Sequence, residues 1–411
     1  MELLHNAVRP YAWGSRTAIA ELLGKPVPAP HPEAELWMGA HPGGPSHLVD
    51  ADGDERSLLD VLAADPDGQL GQPLAARWGG RLPFLLKVLA ADEPLSLQAH
   101  PSAAQAAEGF AREEAAGIPR DAKNRNYPDP TAKPELICAL TEFHALAGFA
   151  DPARTVRLLR GLDAQGLDHY TELLAGQPDS DGLRALFTTW ITLPQQALDQ
   201  LLPQVLDACV RQVKEHGEFD LECRTVLELG EAYPGDAGVL AAVLLNRIVL
   251  KPGEAIFLPA GNPHAYLRGT GIEILANSDN VLRCGLTPKH VDVPELLRVL
   301  DFSYGQMPVQ TGDVLAPHDF VYRTPAPEFE LSRLEWNAGS DEPVRIDHSG
   351  PQILICIDGA VTLRRPDGVE LPLGKGESAW LAAADPAVDV VPTSRPASVF
   401  RATAGVDSST N

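Results

Sequence analysis

Apolar and polar positions change rhythm along this chain. From Leu82 to His100, and again from Arg247 to Leu275, short apolar runs are broken by Gly and Pro, the pattern of strands in an antiparallel β-sandwich or barrel. Between Asp151 and about Ala242 the spacing becomes helical: Val156, Leu159 and Leu162, then Leu198, Leu201, Leu202, Val205 and Cys209, recur at positions that share one helix face. A sheet interrupted by helices and then resumed predicts one discontinuous domain, with the helical part covering one end of it. Turn signals at Asp358-Gly359 and Pro366-Asp367-Gly368 announce further strands toward the C-terminus. The tail Asp407-Ser408-Ser409-Thr410-Asn411 reads as disordered.

Composition narrows the class. At 411 residues, 44% hydrophobic and 22% charged, the chain has material for two or three globular domains and a sizeable core. The formal net charge of −23 argues against nucleic acid or an anionic membrane as partner. It also sets a condition: an anionic substrate needs a local group of cations to overcome the overall field. Lys87, Lys133 and Lys289 all fall inside the segments that carry candidate chemistry, although scattered surface lysines would be the plainer reading. Cys138, Cys209, Cys223, Cys284 and Cys356 form no C-x-x-C pair and are odd in number, so they predict buried small hydrophobes rather than a disulfide framework or a thiolate metal site. The segment Met1-Glu2-Leu3-Leu4-His5 lacks the features of a signal peptide, and no apolar run approaches the ~18 residues of a membrane span. The expected setting is the cytoplasm.

The densest chemistry lies in Leu95-Ser96-Leu97-Gln98-Ala99-His100-Pro101. In an extended strand side chains alternate between faces, so Ser96, Gln98 and His100 share one face while Leu95, Leu97 and Ala99 turn to the core. Two metal-competent heads on one face call for more ligands, and the best candidates are Glu135 of Lys133-Pro134-Glu135 and His264 of Pro263-His264-Ala265-Tyr266. A Gln, His, Glu, His set without thiolate suits Zn²⁺ and, less well, Mn²⁺ or Fe²⁺. The alternative is that Gln98 and His100 are satisfied polar residues at a sheet edge.

Two resemblances sharpen these expectations. Gly253-Glu254-Ala255-Ile256-Phe257-Leu258-Pro259-Ala260-Gly261-Asn262-Pro263-His264 resembles the second cupin motif, in which a Pro-Gly loop aims a metal-binding His at the barrel interior; the Asn often found four residues later is Arg268 here. Gly376 through Pro386 lines up with Gly253 through Pro263 as a second copy, with Ala387 at the place of His264. The fold expected is therefore mainly β, with two cupin (jelly-roll) barrels and an inserted helical domain. The divisions are residues 1–150 and 243–314 for the catalytic cupin, 151–242 for the helical insertion, and 315–411 for a jelly-roll lacking metal ligands.

The second resemblance runs from about residue 8 to 300. Tyr11-Ala12-Trp13-Gly14-Ser15, Glu35-Leu36-Trp37-Met38-Gly39, Gln98-Ala99-His100-Pro101, Lys133-Pro134-Glu135 and Asp279-Asn280-Val281-Leu282-Arg283 are similar to segments of the type I mannose-6-phosphate isomerases, zinc enzymes of the cupin superfamily. The resemblance implies one Zn²⁺ per chain on Gln98, His100, Glu135 and His264. It further implies catalytic roles for Arg283, Glu273 and Lys133, and substrate or phosphate contacts from Ser96, Lys87, Lys289 and Tyr266. The implied partner is a small sugar phosphate, bound by a monomer or small homo-oligomer. One departure stands out: the family's His before Lys-Pro-Glu, proposed to help open the sugar ring, is Ala132 here. That gap keeps a second expectation in view, a metal-binding cupin that senses sugar phosphates without turning them over. An iron cupin dioxygenase is a third, disfavoured by Gln98 in the ligand set.

Overall fold

Strand pairing joins the first residues of the chain to its last. In the computed structural model, which describes residues 1–405 apart from 51, 338, 348 and 349, the strand Glu2–His5 lies between Ser378–Leu381 and His47–Val49. A nine-stranded sheet thus runs through both ends of the sequence. Nothing in the local pattern of residues 1–57 announces this partnership, because a strand's partner is decided by the facing surface as much as by its own residues. The tail Asp407–Asn411 lies outside the described residues.

The second sheet has eleven strands and carries the candidate chemistry. Its organiser is the long strand His264–Ala276, which pairs along its first half with Leu97–Ala99 and Phe143–Phe149 and along its second with Phe84–Ala91 and Glu135–Ala139. The change of partners falls at Gly269, whose φ is +122° and where a Cβ would come within 2.6 Å of the Glu142 carbonyl oxygen. Only glycine satisfies both the backbone angle and the close approach. A four-stranded sheet of Val344–Ile346, Val388–Pro392, Ala360–Arg364 and Glu370–Gly374 completes the β-structure.

Helices fill the interval between Pro152–Leu162 and Gly238–Ala242. Asp151 caps the first of them by accepting the Arg154 N–H at 2.9 Å, and Pro152 occupies the first turn where its missing donor costs nothing. In Gln195–Lys214 the residues Leu198, Leu201, Leu202, Val205 and Cys209 are buried on one face, as their spacing predicts. These helices share a core with Leu146, Phe149 and Leu245 of the eleven-stranded sheet. A second core mixes Leu86, Val88 and Ile272 with Tyr322, Ile353, Trp380 and Phe400 from the C-terminal strands, so the two sheets are packed on common apolar ground. The molecule is mainly sheet, with its largest block of helices in 152–242 and further helices elsewhere, among them Leu58–Ala64, Pro66–Leu70, Gln72–Trp78, Ala103–Ala115 and Val293–Val299. All five cysteines are buried and unpaired, and among the described residues no helix is long and apolar enough to cross a membrane.

Candidate metal centre and active-site cleft

Register brings the key side chains into rows. Gln98 sits across from His264 on one side and Arg283 on the other, while Lys87 sits across from Trp37 and Glu273. His100 follows the strand Leu97–Ala99, and Glu135 opens its own strand opposite Leu275 and Leu258. The result is a cleft of about 450 Å³ lined by nine of the eleven sequence-selected residues: Ser96, Gln98, Lys87, Lys133, Glu135, Tyr266, Glu273, Arg283 and Lys289. The other two, His100 and His264, are 1% exposed and meet Glu135 beneath its wall.

His100, Glu135 and His264 offer ligand atoms that all lie within 4.8 Å of one another. His100 Nδ1 is 2.8 Å from the Asn280 carbonyl oxygen and His264 Nδ1 is 3.0 Å from that of Asn262. A carbonyl only accepts, so each Nδ1 carries a proton and, in the neutral ring, each Nε2 presents a lone pair. Those lone pairs stand 3.3 and 3.4 Å from the two oxygens of Glu135, which is 2% exposed. His100 Nε2 and Glu135 Oε2 are buried with no hydrogen-bond partner. Burial pushes the His100 imidazole down to about 4, with Glu135 opposing, which keeps it in the neutral form that binds metal. Two imidazole lone pairs thus converge on a carboxylate whose Oε1 also meets the Lys133 ammonium at 3.3 Å, while Oε2 and His100 Nε2 have no donor of their own. These acceptors repel one another unless a further cation sits between them. The residues therefore fit a divalent metal, with backbone carbonyls fixing both rings as second-sphere partners do. The Gln98 amide nitrogen is 3.5 Å from His264 Nε2, and a half-turn of the amide presents its oxygen instead.

Beside this centre lies a buried ion cluster. The Lys87 ammonium is 3.0 Å from Glu273 and 3.5 Å from Glu35, whose other oxygen accepts the Trp37 indole N–H at 2.7 Å. Burial opposes the charge on Lys87, but Glu273, Glu35 and Glu135 outweigh it and hold the ammonium more firmly protonated than usual. The Glu273 carboxyl is raised, first by burial and then by Glu135 and Glu35, with Lys87 pulling the other way. Burial, then the charges of Glu273 and Glu135, hold the Tyr266 phenol well above its usual range, and its hydroxyl is buried without a hydrogen-bond partner. Lys133 is 3.3 Å from Glu135.

The opposite end of the cleft differs. Among the described residues neither Arg283 nor Lys289 has a carboxylate within ion-pair distance, and half-buried Ser96 lies on the same wall system. Burial lowers Arg283 somewhat, and burial with the Arg283 charge lowers Lys289, so the two cations share one region. In a protein with 33 basic and 56 acidic residues, two unpaired cations facing a cleft mark a place for an anion. Lys87 is differently placed from the free cation its sequence context implies, because its charge is answered by two carboxylates.

Several participants escaped sequence reasoning. Glu35 sits inside the Glu35-Leu36-Trp37 segment, which was the available signal. His41 Nε2 lies 3.2 Å from Asp279 at the rim, with Nδ1 accepting the Gly43 N–H at 3.0 Å. Asn280 donates to the Asp129 and Thr131 carbonyls at 2.8 and 2.7 Å and so fixes the loop leading to Ala132 and Lys133.

Comparison with known proteins agrees with this geometry. The family description "Phosphomannose isomerase type I, catalytic domain" matches residues 1–151. Mannose-6-phosphate isomerase of Escherichia coli (strain K12) is 41% identical over 405 residues, covering 97% of this chain and 99% of that protein. The enzyme of Homo sapiens is 31% identical over 398 residues, or 91% of each. A crystal structure of a phosphomannose isomerase mutant from Salmonella typhimurium superposes with a TM-score of 0.90 at 37% identity, covering 99% of this chain and 100% of that one. A zinc-bound mannose 6-phosphate isomerase gives 0.88 at 36% identity, over 98% and 99%. With 41% identity over nearly the whole length of one such isomerase and a fold shared with the solved ones, the chain belongs to the type I phosphomannose isomerase family.

Proposed function

We propose that this protein interconverts mannose 6-phosphate and fructose 6-phosphate by moving a proton between C1 and C2 through a cis-enediol, with one Zn²⁺ held by Gln98, His100, Glu135 and His264. The observation that carries the proposal is the convergence of two imidazole lone pairs on a buried carboxylate. A zinc ion balanced by a single carboxylate keeps a net charge of about +1 and supplies Lewis acidity toward the sugar's oxygens.

The chain's own groups do the rest. Ser96 and Lys289 receive the phosphate at the end where cations are unpaired. Arg283, next to Gln98 in the register, stabilises negative charge developing on the enediolate with a donor that does not titrate. Glu273, with its raised carboxyl, takes and returns the proton, and Lys133 adds an ammonium donor beside Glu135. Tyr266 closes the floor of the cleft next to Glu273. The two carboxylate partners of Lys87 support a role in setting the charge of Glu273 more than a direct phosphate contact.

Steady-state kinetics on metal-analysed protein test these roles. Arg283→Ala is expected to lower kcat by about 10²-fold, as loss of one oxyanion donor does. Lys289→Ala should chiefly raise KM. An arginine variant with wild-type kcat and a raised KM alone would reverse the assignment.

Ala132 offers a second test. Its loop is tied down by Asn280 and Asp129, and Ala132 itself is half-buried. Ala132→His is expected to preserve the fold and to raise, or leave unchanged, turnover of cyclic substrate. A clear fall in kcat with metal retained would show that ring opening here follows a different scheme from the family's.

The domain reading is part of the same proposal. Gly253 and Gly376 have φ values of +85° and +84°, and each is followed two residues on by a strand, Ala255–Leu258 and Ser378–Leu381. That equivalence supports two cupin copies, the metal-binding one built from residues 1–150 and 243–314 around the helical insertion 151–242, and a C-terminal one in 315–411 whose Ala387 leaves it without the metal His.

A further inference from the structure

The phosphate end of the cleft is built by two chain segments, Pro94–Ser96 and Arg283–Lys289, which are far apart in sequence. Both are fastened to one turn of the helical block. Tyr233-Pro234-Gly235-Asp236 closes with an Asp236 N–H to Tyr233 carbonyl bond of 3.2 Å, with Pro at the second position and Gly235 at φ +73° in the third, the residues a type II turn requires. From this turn the Tyr233 hydroxyl donates to the Pro94 carbonyl at 2.6 Å. The Asp236 carboxylate accepts two backbone N–H groups, that of Gly238 at 2.7 Å and that of Thr287 at 3.1 Å. Thr287 in turn accepts the Lys289 N–H on its hydroxyl at 3.1 Å.

Backbone contact reinforces the second attachment. A Cβ on Gly285 would fall 2.6 Å from Gly238 Cα, and a Cβ on Gly238 would fall 2.6 Å from the Leu286 nitrogen. The loop therefore lies directly on the start of the helix Gly238–Ala242. Leu286 adopts φ +55°, a left-handed angle that a side-chain-bearing residue keeps only when its surroundings impose it. The strained residue sits between Arg283 and Lys289, the two cations without carboxylate partners.

We propose that Asp236 is a positioning residue for phosphate recognition, and that the turn Tyr233–Asp236 sets the distance between the Ser96 wall and the Lys289 wall. The inference rests on the reading that Ser96 and Lys289 take the phosphate. On this account the helical block acts on substrate selection without touching substrate: it holds two lips of the cleft at the span of a phosphate group. Releasing one lip lets Lys289 swing away while the metal end, held by other strands, keeps its geometry.

The test compares Asp236→Asn, Tyr233→Phe and Thr287→Val with Lys289→Ala in zinc-loaded full-length protein. Asp236→Asn replaces one carboxylate acceptor with an amide N–H facing a backbone N–H. It is expected to raise both KM for mannose 6-phosphate and the inhibition constant of inorganic phosphate about tenfold, with kcat within about twofold and zinc content unchanged. Tyr233→Phe and Thr287→Val, which delete single hydroxyls, should shift the same two constants less and in the same direction; they carry the test if Asp236→Asn does not fold. A Lys289→Ala variant that raises KM beside an Asp236→Asn variant that does not would overturn the tether alone. Lys289→Ala without effect on either constant would overturn the phosphate reading beneath it. A fall in kcat at unchanged KM in the Asp236 variant would also overturn the inference, since it would show damage reaching the metal end.

Discussion

Replacing His264 by alanine is expected to yield a folded protein that retains no stoichiometric zinc and has lost at least about 10³-fold in kcat/KM. The size follows from the several kcal/mol of charge stabilisation that a bound cation supplies to a developing oxyanion. Folding should survive because the first half of the strand His264–Ala276 is held by its partners on both sides, whatever the first side chain is. Truncation also relieves a repulsion in the metal-free state, since it removes one of the acceptors that crowd Glu135. Metal-stripped His264→Ala protein should therefore melt no lower than metal-stripped wild type, whereas zinc should raise the melting temperature of the wild type only. Metal analysis and thermal melts with and without chelator read this directly. A variant that still binds one zinc per chain and keeps its rate would remove His264 from the site.

Lys87→Met carries the second large effect. In the native cluster one ammonium lies within 3.5 Å of two carboxylates, all three groups being less than 10% exposed. Deleting the cation leaves buried charge uncompensated, a change that costs about 3–5 kcal/mol in comparable pairs. The carboxylates can escape part of that cost by taking up a proton, so the Glu273 carboxyl should rise further. A carboxyl whose folded value is raised contributes stability below its unfolded value of 4.5 and loses it as pH climbs through the folded value. The variant should accordingly lose melting temperature as pH increases from 4.5, and the acid limb of its kcat/KM profile should move to higher pH relative to wild type. If Lys87 instead served the phosphate directly, KM would rise while the acid limb stayed where it was.

The parts of the site that the sequence revealed are those encoded locally. Gln98 and His100 share a strand face, Glu135 follows Lys-Pro, and His264 ends a Pro-Gly loop; each is a short-range statement about strand parity or a turn. The helical block was legible for the same reason, since Leu198, Leu201, Leu202 and Val205 declare their shared face within two turns. What stayed hidden depends on register between distant strands or on backbone atoms. The pairing of Lys87 with Glu35 and Glu273 exists only because Trp37 and Glu273 fall opposite Lys87. The carbonyls of Asn262 and Asn280 that orient the two imidazoles have no side-chain signature at all. Likewise Asp236 reads as an ordinary turn residue until its carboxylate is seen to bind Thr287.

The strand Glu2–His5 has a consequence for how the protein is made. It leaves the ribosome before the whole of the intervening chain, and one of its two neighbours, Ser378–Leu381, emerges only after that chain has been made. At roughly 5–20 residues per second the interval is on the order of tens of seconds. During that time Leu4 and the core beneath it lack Trp380, Ile353 and Phe400, which belong to the same apolar cluster. The nine-stranded sheet can therefore close only after Ser378–Leu381 has emerged, and until then the growing chain carries an open sheet edge and an uncovered apolar face. Overproduction at high temperature should expose that interval as aggregation of nascent chains, and slower synthesis in the cold or a chaperone able to shield the early strands should restore the soluble yield.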